Sequence, residues 1–465
     1  MKTKINNNQT PTTFIILGVT GDLTQRKLVP ALFNLYKEKM LPSKFRLVGF
    51  SRREWGDEEF REFLHSTIKK HILKTKSTDI ESFLKHSKFQ KGYFDDKNYY
   101  KQLDQTLKKI DIEVGVCTNK LFHLAVPPKM YEMIFKHLAN SGLSRPCGGK
   151  LGWTRVLVEK PFGNDLKTAQ ALDNLLGKLY KEEQIFRIDH YLAKETLQNI
   201  LAFRFSNVLF EKIWNKDYIE KIEIKLFEKK GIETRGDFYE ATGALRDVGQ
   251  NHVLQMLALA CMDDPRELSA KAIRKARADI LKDLEIINSK ELKSRAERAQ
   301  YKGYKNEKAV PKSSKTETYF KIHAHIKNKR WKHVPIILEA GKKMKKDLTE
   351  IKVHFKEKPT CVCELGDEQE LQNVLTFHIQ PMAGIEIRFW ANKLGFGFQV
   401  EPRELSFDYP KTAIQDHLND AYERVIFDCI RGDQTLFTST EEVEASWRFI
   451  TPILDNWHNT KLTTY

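Results

Sequence analysis

The chain reads as an α/β plus α+β protein in two parts. An N-terminal Rossmann-like, dinucleotide-binding domain is expected over residues 1–188. A second domain, built on a large and mainly antiparallel sheet covered by helices, is expected over residues 189–465. Three observations predict this. The apolar run Thr13-Phe-Ile-Ile-Leu ends at Gly18 and passes at once into the turn Gly18-Val-Thr-Gly21 and a helical pattern. Apolar runs and helical patterns then keep alternating up to Arg187, as in a parallel sheet with crossover helices. Beyond Tyr218 the pattern changes to segments of period two, the mark of half-buried strands. A length of 465 residues is ample for two cores of this kind.

The first strand, glycine turn and helix form the arrangement that cradles a pyrophosphate, because small residues let the backbone approach it. The turn is G-x-x-G rather than the full G-x-G-x-x-G, so an ordinary strand–helix turn stays open as a reading. Leu28, Ala31, Leu32 and Leu35 mark the helix face, with Pro30 kinking or restarting it. The second strand, Phe45 to Ser51, ends in Arg52-Arg53 where an NAD-binding domain carries an acid for the ribose hydroxyls. A guanidinium there can grip a 2′-phosphate with two bonds, so NADP is the expected cofactor and Arg52 its reader; Arg53 reads as a surface cation. Glu58 to Leu73 and Tyr99 to Leu107 are expected helices. Lys120 to Pro128 is a strand that two prolines terminate, and Thr154 to Gly163 a strand with an abrupt exit. Pro161 keeps Lys160 out of the helical region, at the carboxyl edge where open parallel sheets bind ligands; a surface lysine on a turn is the alternative.

The stretch Arg187-Ile-Asp-His-Tyr-Leu-Ala-Lys-Glu195 marks the change of pattern. Leu197, Ile200 and Leu201 follow at helical spacing, so His190, Tyr191 and Lys194 fall at or just before a helix N-terminus. Free N–H groups, the helix dipole, a lysine and two further donors suit a phosphate. A solvated helix start with an incidental lysine is the plain alternative. In the second domain, Ile222, Ile224 and Leu226 alternate with Glu223, Lys225 and Phe227. Similar strands are expected at Thr318 to Lys327, Ile351 to Phe355, Leu375 to Ile379 and Gly384 to Ala391, with Gln250 to Ala260 and Tyr422 to Cys429 as covering helices. Glu267 to Ala299 reads as charged helices and Lys302 to Lys315 as a linker. In Gly243-Ala-Leu-Arg-Asp-Val-Gly-Gln-Asn-His252, Asp247 precedes a helix that contains His252. Asp247 and Gln250 could form a capping box, and His252 could be a core histidine. The same pair could serve as a base and its orienting acid.

A hydrophobic content of 41% and an aromatic content of 11% mark a globular chain rather than a disordered one. No apolar run has membrane-spanning length. The polar start, Met1 to Thr13, lacks a signal core, so a cytoplasmic protein is expected. Six scattered cysteines, at 117, 147, 261, 361, 363 and 429, are expected to be reduced. The formal charge of +16 is spread among acids, with no basic-aromatic module. It reads first as a general lysine bias and second as an attraction for anionic small molecules, rather than as a nucleic-acid surface.

Taken with its surroundings, the Arg187–Glu195 stretch resembles the signature R-I-D-H-Y-L-G-K-E of the glucose-6-phosphate dehydrogenase family, with Ala193 in place of Gly. Gly18-Val-Thr-Gly21-Asp-Leu-Thr24 resembles its G-A-S-G-D-L-A, Ala125-Val-Pro127-Pro its A-x-P-P, and Glu159-Lys-Pro161 the E-K-P shared with other NADP-linked sugar dehydrogenases. Arg246 to His252 is similar to R-D-V-x-Q-N-H, and Val334 to Lys342 to V-P-F-x-L-R-x-G-K; Asp347 stands where a basic residue is usual. The resemblance implies oxidation of glucose 6-phosphate at C1 to 6-phosphoglucono-1,5-lactone, with hydride passing to NADP and no metal required. This is the first step of the oxidative pentose phosphate pathway. It implies His252 as base and Asp247 as its orienting and substrate-binding acid. Lys160, His190, Tyr191, Lys194, Glu228 and Lys342 would be further substrate contacts. Gly18, Thr20, Gly21, Asp22, Leu23, Arg52, Ala125, Pro127 and Lys160 would hold the cofactor. The substrate site would lie at the domain interface, and the sheet would join a homodimer or homotetramer. Another NADP-dependent E-K-P sugar dehydrogenase is the alternative.

Overall fold

The computed structural model describes residues 11–72, 75–147, 152–357, 371–395, 399–409 and 421–465. These pack as two compact units. The first holds the chain up to Gly163, Lys167–Ala193 and residues 421–438; the second holds Asn164–Leu166, the chain from Lys194 to residue 409, and Ser439–Tyr465.

In the first unit, β1 (Thr12–Leu17), β2 (Phe45–Ser51), β3 (Ser87–Lys91), β4 (Asn119–Leu124), β5 (Thr154–Val158) and β6 (Ile185–Ile188) run parallel, in the order β6-β5-β4-β1-β2-β3. β1 has a partner on each side and every residue of it is buried, which is why it is apolar from Phe14 to Leu17. The strand order reverses at β1. That leaves a crevice at the carboxyl ends of β1 and β4, where doubly wound sheets take their ligands. Pro30 lies inside a continuous helical run from Asp22 to Lys37, directly after the π-helical turn Thr24–Leu28, which takes up the backbone hydrogen bond that proline cannot make.

In the second unit the strands are β7 (Ile219–Phe227), β8 (Ala296–Gln300), β9 (Tyr319–Ala324), β10 (Ile336–Gly341), β11 (Leu348–Phe355), β12 (Val374–Gln380), β13 (Gly384–Asn392) and β14 (Val400–Asp408). Two short strands complete the sheets: β15 (Phe437–Thr438), antiparallel to β6, and β16 (Leu462–Thr464), parallel to β8. The second sheet has the order β14-β13-β12-β11-β7-β10-β9-β8-β16 and is antiparallel except at β7–β10 and β8–β16. A π-helix, Leu245–Val253, packs against β7 and β10 and continues into the wholly buried helix Leu254–Cys261.

Several expectations need correction. The amphipathic helix expected over Tyr422–Cys429 does form, as Ala421–Arg431, but it packs in the first unit rather than over the second sheet. Glu423 accepts from Asn34 Nδ2 at 2.8 Å, and Arg155 Nη1 donates to the carbonyls of Cys429 and Ile430 at 2.7 and 2.8 Å. The charged stretch 267–299 begins with the helix Ala270–Lys282 but ends in β8, which gains a ladder partner in β9. The expected linker 302–315 is folded: Tyr304 and Val310 join Ile232, Tyr239 and Tyr301 in a buried cluster. The expectation of six reduced cysteines fails for Cys117 and Cys147, which are bonded with Cα atoms 5.9 Å apart. Their loops enter β4 and β5, and the pairing of those strands brings them together. Cys261 and Cys429 are free and buried, and Cys361 and Cys363 lie outside the described residues.

Candidate active site

The crevice of the first unit contains a cavity of about 340 Å³ lined by Gly18, Thr20, Gly21, Arg52, Ala125 and Pro127, among others. Gly18 closes β1 with φ +87°, and a Cβ there would lie 2.4 Å from the Ala125 carbonyl oxygen. Only glycine permits this close approach of β1 to the end of β4. Arg52 reaches the cavity, whereas Arg53 lies over the Trp55 ring at 5.9 Å, consistent with a surface role. Asp22 and Leu23 do not line the cavity; Asp22 pairs with Arg26 at 2.8 Å on the surface. Tyr93 and Asp95, which follow β3, form part of the wall. Sequence reasoning missed them because it did not place β3.

Lys160 follows β5 by way of Glu159, and Glu159 is held from three directions. Its carboxylate meets His123 Nε2 at 3.1 Å and accepts from the Tyr422 hydroxyl at 3.2 Å, and its carbonyl accepts from the Tyr131 hydroxyl at 2.9 Å. The backbone leading into Lys160 is therefore fixed by residues from β4 and from two helices. Past β6, the buried Arg187 pairs with Asp173 at 2.5 Å and with Glu182 at 3.0 Å, which makes it part of the frame. Asp189 accepts from the Tyr191 amide at 2.9 Å, and the His190 and Tyr191 rings stand 5.2 Å apart. Ala193 is not among the residues of positive φ, so alanine in place of glycine costs the backbone nothing here.

In the second unit, Lys194 is the N-cap of the helix Glu195–Phe205, and its carbonyl accepts from the amides of Leu197 and Gln198. The expected helix start is thus in place. Lys194 Nζ donates to Gln380 Oε1 at 2.5 Å. Gln380, at the end of β12, has no sequence signal tying it to Lys194 across 186 positions.

Asp247 and His252 both lie inside the π-helix, so Asp247 is not the first residue of a capping box. The element starts differently. Gly243 breaks the preceding helix with φ +68°, and the buried Glu317 carboxylate accepts from the Leu245 amide at 3.1 Å. Burial pushes the Glu317 carboxyl up, opposed by its hydrogen bonds from main-chain N–H groups. In a π-helix, i and i+5 stand one turn apart, which puts Asp247 and His252 on the same side. His252 is 1% exposed.

Lys342, just past β10, is the hub of a carboxylate–ammonium–carboxylate chain. Its Nζ bonds Glu228 and stands 3.1 Å from Asp247 Oδ2. The Lys342 side chain is 5% exposed and that of Asp247 10%. The parallel pairing of β7 and β10 sets the register, with the Glu228 amide donating to the Gly341 carbonyl at 2.9 Å. The Tyr465 hydroxyl holds the Lys342 carbonyl at 2.5 Å. Tyr239 faces the ammonium at 5.9 Å, and burial, then the Asp247 charge, pushes its phenol well above the ordinary value. Asp347, at the usually basic position, accepts from the Lys229 amide at 2.8 Å and so fixes the strand end beside Glu228. Three expected substrate residues thus converge in one unit, with a buried imidazole on the same helix as one of them. Such a group can bind hydroxyls and take up a proton.

Two family models cover the chain: the NAD binding domain of glucose-6-phosphate dehydrogenase matches residues 15–199, and its C-terminal domain residues 201–465. The glucose-6-phosphate 1-dehydrogenase of Aggregatibacter actinomycetemcomitans is 39% identical over 451 residues, covering 95% of this chain and 90% of the relative. That of Borreliella burgdorferi is 37% identical over 463 residues, covering 97% and 93%. Among solved structures, a glucose-6-phosphate dehydrogenase in complex with its substrate glucose-6-phosphate superposes with a TM-score of 0.90 at 30% identity, covering 98% of this chain and 95% of that one. The fold, the two domain models and relatives matched along nearly their whole length lead to one conclusion: the chain belongs to the glucose-6-phosphate dehydrogenase family.

Proposed function

We propose that this protein oxidises glucose 6-phosphate at C1 to 6-phosphoglucono-1,5-lactone and passes the hydride to NADP. The observation that carries the reading is the convergence of Glu228, Lys342 and Asp247, with His252 on the helix that bears Asp247. In this reading His252 is the base that takes the C1 hydroxyl proton. Asp247 orients it and, with Lys342 and Glu228, positions the sugar hydroxyls. Lys160 positions the substrate and the nicotinamide side. His190, Tyr191 and Lys194 hold the phosphate, and Gln380 steadies the Lys194 ammonium.

The first-unit cavity suits NADP. Glycines line the end where a pyrophosphate would approach the backbone, and Arg52 stands where an acid would repel a 2′-phosphate. Gly18, Thr20, Gly21, Arg52, Ala125 and Pro127 would hold it, with Asp22 and Leu23 supporting the turn. The bound cofactor supplies the hydride acceptor. The chain's own task is to orient the sugar and to accept the proton. No helix of the described residues is long and apolar enough to cross a membrane. A cytoplasmic homodimer or homotetramer is the setting we infer.

The test is a spectrophotometric assay with NADP and a panel of sugars and sugar phosphates. Reduced nicotinamide should accumulate with glucose 6-phosphate and far more slowly with glucose. Turnover confined to unphosphorylated sugars would replace this reading with that of a different E-K-P sugar dehydrogenase.

A further inference from the structure

We propose that Cys117 and Cys147 form a reversible thiol–disulfide modification site that sets the stability of the first unit without taking part in its chemistry. Cys117 lies between the helix Lys97–Val114 and β4, and Cys147 between the helix Tyr131–Asn140 and β5. Their Cα separation of 5.9 Å is in the ordinary range for a disulfide. Each sulfur also has an oxygen acceptor nearby. Both sulfurs lie 3.8 Å from the Thr118 carbonyl oxygen, and the Cys147 sulfur lies 3.8 Å from Asp111 Oδ2. A thiol freed on reduction would therefore find an acceptor within reach.

The surroundings select this pair over the other described cysteines. Cys147 is exposed and Cys117 half-buried, so a small disulfide or thiol can reach them. Cys261 and Cys429 are fully buried, and burial pushes the Cys261 thiol up to about 12 and that of Cys429 higher still. Buried thiols of that kind are inert. Asp111 beneath the pair is rigid, since its Oδ1 accepts from Lys120 Nζ at 2.6 Å, the Thr118 hydroxyl at 2.7 Å and the Thr118 amide at 2.9 Å. Asp111, Cys117 and Cys147 also have the spacing of metal ligands. A cation there would sit beside the Lys120 ammonium, which already neutralises Asp111, so thiol exchange is favoured over metal binding.

Oxidation by a small-molecule disulfide such as oxidised glutathione balances in two steps. The Cys147 thiolate attacks one sulfur of the reagent, forming a mixed disulfide and releasing one glutathione thiolate. The Cys117 thiolate then attacks the Cys147 sulfur and releases the second. Two protein S–H groups become one S–S bond, and the reagent takes up both electrons and both protons. The bond closes a loop across a sequence separation of 30 that contains β4. It lies at the entry of β4, about 26 Å along the chain from Ala125 at the strand's far end. Stability should therefore respond to it and turnover should not.

The experiment uses full-length protein equilibrated in glutathione buffers of graded redox ratio. Oxidised wild type should yield a Cys117–Cys147 cross-linked peptide by non-reducing mass spectrometry. Reduction should free both thiols for alkylation and lower the melting temperature by on the order of 5–10 °C, with kcat unchanged. Cys147→Ser and Cys117→Ser should each melt like reduced wild type and ignore the buffer. Alkylation of both cysteines under fully oxidising conditions would overturn the proposal. So would an equal melting shift in the serine variants, or a change in kcat on oxidation. Stoichiometric uptake of zinc by the reduced protein that Cys147→Ser abolishes would make this a metal site instead.

Discussion

Arg52 and His252 carry the most explicit chemistry of any single residues. Arg52 lines the dinucleotide cavity at the position where an acid would favour NAD. Arg52→Ala is expected to weaken NADP by roughly ten- to a hundredfold, the worth of one charge-assisted bond, and to leave NAD almost unchanged. Cofactor titrations of both enzymes check this, and equal losses for the two cofactors would count against it. His252→Asn is expected to keep substrate affinity and to lower kcat by about 10²–10⁴-fold. The acid limb of its pH–rate profile should also disappear; normal turnover would move the proton to another group. Arg52 and the sheet-edge position of Lys160 could be read from local motifs, whereas the role of His252 came from the family resemblance, since its spacing left a core histidine open. Gln380, the partners of Glu159 and the Glu317 carboxylate were not legible, because each meets its partner only across a long stretch of sequence. Glu159→Gln tests one of these. It should keep the fold and lower kcat/KM through misplacement of Lys160, with the larger effect on KM. No change in either constant would show that the Glu159 contacts serve only packing.

Strands β1, β2, β4, β5, β7, β9, β11, β12 and β13 were legible, because period two and unbroken apolar runs report burial directly, whereas β3, β8, β10 and β14 were not placed. Nor was the π-helix. Its i→i+5 ladder leaves no mark in a 3.6-residue pattern, so Asp247 and Gln250 mimic a capping box. The helix Ala421–Arg431 shows the complementary limit: its apolar face says that it covers something, not which sheet. β7 also allows a prediction. Glu223 on that strand is held well below the usual carboxylate range, first by the His354 ring and then by Lys225 and Lys221, with burial opposing. A depressed carboxyl stabilises the fold above its unfolded value of about 4.5. That contribution is lost as the pH falls towards the folded value. Wild type should therefore lose more melting temperature than Glu223→Gln between about pH 5 and pH 2, and parallel curves would contradict the assignment.

For the whole molecule, the sequence revealed the two-part architecture and its order of classes. It did not reveal that residues 421–438 return to the first unit, since that depends on contacts such as Arg155 with Cys429 and Ile430. In the proposed reading, the stretch Arg187–Glu195 reads the phosphate and thereby makes the enzyme a dehydrogenase of glucose 6-phosphate rather than of glucose. Phosphate binding places C1, so its loss should cost rate as well as affinity. The most direct test is kcat/KM for both sugars in wild type and Lys194→Ala. The account predicts a fall of on the order of thirty- to a hundredfold for glucose 6-phosphate and little change for glucose, so that the preference between them shrinks. A preference that the substitution leaves unchanged would contradict it.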